Sequence, residues 1–131
     1  MCPQGFVFTP GLFDMSKPSD LPLYLAVYKL LLYLYVMVNN FPKSYKYSLG
    51  SDILNLGWET LDNVISANSL PNNKKPDTIR MASVSFDKLK IRLRLAHEIR
   101  LIDHKKFAFL IEGNEEIGKM LSGWLSWSEA A

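Results

Sequence analysis

From Asp77 to His104 the chain runs 28 residues without a glycine or a proline. Pro76 stands at the start of this run, and proline suits the first turn of a helix. Within it, Leu89-Lys90-Ile91-Arg92-Leu93-Arg94-Leu95 alternates apolar and basic residues, a strand pattern. The longer window decides against a strand. Ile79, Ala82, Phe86, Leu89, Leu93 and Ala96 recur at steps of three and four, the spacing of one helical face. At about 100° per residue, Val84, Ile91, Leu95, Ile99 and Ile102 form a second apolar line nearly opposite the first.

A helix that is apolar on two faces has two surfaces to bury. In a chain of 131 residues, one face packs into the chain's own core. The other is expected to meet another subunit or a partner protein, which makes Val84, Ile91, Leu95, Ile99 and Ile102 the expected oligomer interface. The alternative is a central helix wrapped by its own neighbours.

The same stretch concentrates the positive charge. Residues 72–106 hold ten of the fifteen Lys and Arg side chains against four acidic ones. Their net charge of +6 sits in a chain of net +2, so the remainder carries −4. Arg80, Lys90 and Arg94 fall on one flank between the apolar lines, with Asp87 and Glu98; Lys88 and Arg92 fall near the other.

Length bounds the chain to one domain. A hydrophobic content of 48% is ample for a packed core and excludes a disordered chain. Cys2 is the only cysteine, so neither an intrachain disulfide nor a cysteine-based metal site can form. Two histidines seven residues apart, His97 and His104, with no third ligand pattern, leave no expected metal or cofactor. There is no Gly-rich phosphate loop, nucleophile elbow or HExxH, and catalysis is not expected. Glu115 and Glu116 are adjacent and so do not form a facing pair of carboxylates.

Residues 1–19, with Pro3, Pro10 and Pro18 among apolar residues, read as an irregular arm. The first helix is expected over about 20–39, capped by Ser19 or Asp20, with Pro22 in its first turn. Leu21 to Val38 has only Lys29 charged and approaches the length of a membrane span. A mid-run charge costs roughly 3 kcal/mol at a bilayer centre, and four tyrosines accompany it, so a buried bundle helix is favoured. No basic segment precedes the run and no small-residue cleavage site follows, so it is not expected to be a signal peptide.

Further helices are expected over about 49–67, 76–102 and 104–127, the last N-capped by Asp103, with 128–131 as a tail. The apolar line of the last helix includes Asn114, expected to be a hydrogen-bonded core group. Gly113 and Gly118, on or beside that line, suggest a close backbone approach, since glycine inside a helix otherwise costs about 1 kcal/mol. Four long helices with short connections imply an all-α, up-down-up-down four-helix bundle.

That topology brings Lys43 and Lys46 to the same end as Arg100, His104, Lys105 and Lys106. Lys74, Lys75 and Arg80 lie at the far end, with Lys88, Lys90, Arg92 and Arg94 between. Cations in the first turn of a helix oppose its dipole, and beside free N–H groups they can form an anion site. A solvated charged face is the commoner outcome. If the anion is nucleic acid, binding rests on phosphates and is salt-sensitive. Tyr45 and Tyr47 are placed to stack on unpaired bases or to pack on the helix ends.

Four segments also carry a family likeness: Phe-Pro-Lys-Ser (41–44), Tyr-Ser-Leu-Gly (47–50), Leu-Arg-Leu-Ala-His-Glu-Ile-Arg-Leu-Ile (93–102) and Glu-Glu-Ile-Gly-Lys-Met-Leu-Ser-Gly-Trp-Leu (115–125). They resemble the accessory variability determinant proteins of diversity-generating retroelements. These fall within a wider set of four-helix-bundle proteins that includes those encoded in 23S rRNA intervening sequences. The resemblance covers about residues 21–127, and Glu-Ile-Gly-x-Met-Leu-x-Gly-Trp is its most specific part. It implies a homopentameric, ring-like barrel of bundles, cytoplasmic and encoded by a bacterium, an archaeon or a phage. It also implies binding to the element's reverse transcriptase and to its template RNA or cDNA, in support of mutagenic retrohoming. The competing expectation is an oligomeric protein-interaction scaffold that binds no nucleic acid.

Overall fold

The computed structural model describes residues 21–130. The expected arm, Cys2 and the Ser19 or Asp20 cap lie outside them. Four long helices account for most of the described chain: α1 (Pro22–Asn39), α3 (Leu49–Ser69), α4 (Lys75–Glu98) and α5 (His104–Ala130). A four-residue helix, α2 (Lys43–Lys46), interrupts the loop after α1, and a 3-10 turn (Asn72–Lys74) precedes α4. There is no strand among the described residues. Lys90 to Leu95 are helical, as the longer periodicity required.

Local chemistry explains the ends. Pro22 takes the first position of α1, where its missing N–H costs nothing. Asp103 caps α5: its Oδ1 accepts from the Lys106 backbone N–H at 2.7 Å. Between these, α4 stops earlier than the sequence suggests. Arg100 adopts φ 68°, the left-handed conformation. The Leu101 N–H then reaches the Ala96 carbonyl at 2.8 Å, and the Arg100 N–H reaches the His97 carbonyl at 3.0 Å. This pair of bonds is a Schellman stop with arginine at the position glycine usually takes. With neither glycine nor proline there, sequence pattern could not place the end. At its other end α5 continues three residues beyond the expected 127, through the supposed tail, to Ala130.

Every neighbouring pair of helices is antiparallel. Gly50 and Gly57 of α3 face Val38 and Leu31 of α1. Asp52, early in α3, faces Arg92, late in α4. Arg80, early in α4, pairs with Glu129 at the end of α5. Tyr33 of α1 packs its ring 5.1 Å from that of Phe109, early in α5. The result is an up-down-up-down bundle. The α3–α4 contact is the most extensive and the α1–α5 contact the sparsest among neighbouring long helices.

The core is built from the expected face of α4 (Ile79, Ala82, Phe86, Leu89, Leu93, Ala96), joined by Val27, Leu31 and Leu34 of α1 and by Ile53, Leu61 and Val64 of α3. Leu110, Ile117 and Leu121 of α5 complete it. Fully burying each such aliphatic side chain contributes about 1.5–3 kcal/mol. Among the described residues α1 is the one helix long and apolar enough to cross a membrane by length and composition; seven of its residues are buried within the bundle.

The glycines reverse one expectation. A Cβ on Gly113 or Gly118 would meet nothing within 4 Å, so no close backbone approach occurs at either inside the bundle. The tight contacts are at α3 instead. A Cβ on Gly50 would stand 2.7 Å from Val38 Cγ1, and one on Gly57 would stand 2.8 Å from Leu31 Cδ1.

Candidate partner and nucleic-acid interface

Helix α4 turns its second apolar line outward. Val84, Ile91, Leu95 and Ile99 are all exposed, Ile91 by 65%. Met81 extends the line by one turn, at 56%. Sequence reasoning missed it because the line was counted from Val84. Ile102 is a correction: expected on this face, it is only 2% exposed and belongs to the core. The cause is the early stop of α4, since the left-handed turn at Arg100 swings the chain inward.

The cations divide on either side of the stripe. Lys90 and Arg94 lie toward α5 and line a groove with Phe107 and Asn114. Arg92 lies toward α3, its Nε 3.7 Å from Asp52 Oδ2. Lys88 is exposed within the stripe's span. Lys90, Arg92 and Arg94 are only loosely held. Lys90 Nζ sits 3.2 Å from Asp87, and Arg94 Nε sits 3.0 Å from Glu98, both exposed pairs within one helix. Such pairs contribute well under about 1 kcal/mol. Arg80 binds Asp77 at 2.9 Å and also contacts Glu129.

The remaining basic residues gather at the two ends. The antiparallel order brings Lys43 and Lys46 to the end that carries Arg100, His104, Lys105 and Lys106. Lys46 Nζ donates to Asn39 Oδ1 at 3.1 Å and lies 6.0 Å from the Tyr47 ring centroid. Tyr45 and Tyr47 are exposed. The start of α5 is not a vacant anion site, because the Asp103 carboxylate holds the Lys106 N–H. His97 stacks on Phe107 with centroids 4.2 Å apart and rings within 8° of parallel, a packed histidine.

Lys75 is the second correction. It is 7% exposed, and its Nζ donates to the carbonyls of Ala67 and Asn68, each at 3.0 Å. It therefore closes the C-terminus of α3, whose last carbonyls have no helical partner. Burial pushes its ammonium pKa down from the usual lysine range. Lys74 remains exposed at the same end. Where α1 meets α5, burial and then the Asp103 carboxylate push the Tyr33 phenol up.

Asn114 also departs from expectation. It is buried, but its Oδ1 has no hydrogen-bond partner among the described residues. Nor do the described residues include a group of three or more His, Cys, Asp or Glu placed to hold a metal ion.

Fold and surface define an antiparallel four-helix bundle whose third long helix shows solvent an apolar stripe flanked by cations. The family model described as bAvd-like matches residues 24–127. The chain belongs to this family, that of the accessory variability determinant proteins. No curated protein and no solved structure matches it.

Proposed function

We propose that this protein is a non-catalytic, cytoplasmic accessory factor of a diversity-generating retroelement. It assembles into a ring-like homo-oligomer, a pentamer by analogy with its family. It binds the element's reverse transcriptase and its template RNA or cDNA, and so supports mutagenic retrohoming. The observation that carries this reading is the outward face of α4. Five large apolar side chains stay 40–65% exposed there, on a helix whose other face is fully packed. Covering them is worth on the order of 5 kcal/mol, and an exposed apolar stripe of this kind marks an interaction surface. Lys90 and Arg94 on one side, Arg92 on the other and Lys88 within the stripe supply phosphate contacts there.

The test is charge reversal. Replacing Lys90, Arg92 and Arg94 together with Glu removes retention of single-stranded RNA and DNA in a gel shift while helicity and oligomer mass persist. Retention that survives the triple reversal defeats the nucleic-acid reading. A second reading, a scaffold for protein partners alone, draws on the ion pairs that already engage Arg80, Lys90, Arg92 and Arg94. It expects partner binding that tolerates moderate salt and no shift of nucleic acid.

A further inference from the structure

We infer that the outward face of α3 on a second copy of this chain covers the apolar stripe of α4, with Lys88 of one copy against Asp62 of the next. The inference rests on the homo-oligomer reading above and names the surface that the stripe meets. Val84, Lys88 and Ile91 stand at i, i+4 and i+7 on α4 and are all exposed, a cation between two aliphatic side chains. Trp58, Asp62 and Ile65 stand at the same spacing on α3 and are also all exposed, with an anion in the middle. Laid against each other in either direction, the two triplets bring apolar groups to apolar groups and Lys88 to Asp62.

Charge selects this occupant. Helix α3 carries Asp52, Glu59 and Asp62 and neither lysine nor arginine. Asp52 faces Arg92, whereas no ion pair among the described residues engages Glu59, Asp62 or Lys88. The stripe is a poor partner for itself. Two α4 faces in contact would set Lys88, Lys90, Arg92 and Arg94 against their own copies, and like charges opposed across an interface disfavour it. The α3 face also holds an anchor. Trp58 Nε1 donates to Tyr35 Oη at 2.8 Å, so the exposed indole is fixed before contact. Trp and Tyr are the side chains on which binding energy concentrates. A contact between two different faces is head-to-tail, and every copy offers one of each. Helices α3 and α4 are neighbours in the bundle, not a diagonal pair, so successive copies turn as a closed ring requires. The contact takes Lys88 from the phosphates and leaves them Lys90, Arg92 and Arg94 on the flanks.

Light scattering on the full chain, with circular dichroism to follow helicity, reads the contact. Asp62→Lys with Ile65→Asp, at two exposed positions, is expected to reduce the wild-type mass to that of one chain with helicity kept. This variant keeps its stripe, and Ile91→Asp with Leu95→Asp keeps its α3 face. Mixed in equal amounts, the two are expected to form a species of two chains, because one intact contact remains between them. Lys88→Asp alone and Asp62→Lys alone are each expected to raise the concentration needed for assembly roughly tenfold. Both together in one chain are expected to restore it. A wild-type mass for either double variant, a mixture that stays at one chain, or no recovery on charge exchange overturns the α3 contact and leaves the homo-oligomer reading standing. A wild-type protein with the mass of one chain overturns that reading and the contact with it.

Discussion

Lys75, in the first turn of α4, donates through Nζ to the Ala67 carbonyl at 3.0 Å, so the start of one helix closes the end of the one before it. A second bond to the Asn68 carbonyl doubles the attachment. Lys75→Met leaves both carbonyls without this donor and is expected to cost about 1–3 kcal/mol. Urea unfolding measures the loss. Strand retention by the folded variant is expected to match wild type, and a large fall in retention with stability intact would restore Lys75 to the binding surface.

The five glycines of α3 and α5 divide by their surroundings. Gly50→Ala forces a methyl against Val38, a β-branched side chain with one favoured helical rotamer, and is expected to destabilise by about 1–3 kcal/mol. Gly113→Ala meets open space and is expected to stabilise the bundle by up to about 1 kcal/mol through helix propensity. Thermal melts of the two variants should move in opposite directions; movement in the same direction refutes the contrast.

Arg100 holds a conformation that L residues other than glycine adopt at a cost of roughly 1–2 kcal/mol. Arg100→Gly relieves it, and after the added freedom of the unfolded chain the net gain is about 0.5–1 kcal/mol. The urea midpoint should rise. A lower midpoint would mean that the arginine side chain holds the turn by contacts of its own.

Ile91 and Ile102 lay on one line in the sequence and are separated by the fold. Ile91→Asp with Leu95→Asp is expected to reduce the solution mass to that of one chain while helicity is kept. Ile102→Asp, at a position 2% exposed, is expected to cost more than about 4 kcal/mol and to unfold the bundle. Light scattering and circular dichroism separate the two outcomes. An unchanged mass for the Ile91 and Leu95 double variant removes the outward face of α4 as the assembly surface.

The periodicity of Ile79, Phe86, Leu89 and Leu93 was enough by itself to make residues 79–96 a helix with its core side known, because a repeat of three and four has only one way to line up on a rod. The Asp103 cap was legible for the same reason: it depends on neighbours in the chain. What only the tertiary structure decided depends on distant ones. The stop at Arg100 carries no glycine, so Ile102 turns inward on packing alone. Lys75 is a surface cation in sequence and becomes a cap because the open carbonyls at the end of α3 lie beside it. Asn114 reads as a satisfied core amide in sequence, and packing by other helices encloses its Oδ1 without a partner. Local spacing fixes which way a residue faces on its own helix; what it faces is set by a helix tens of residues away.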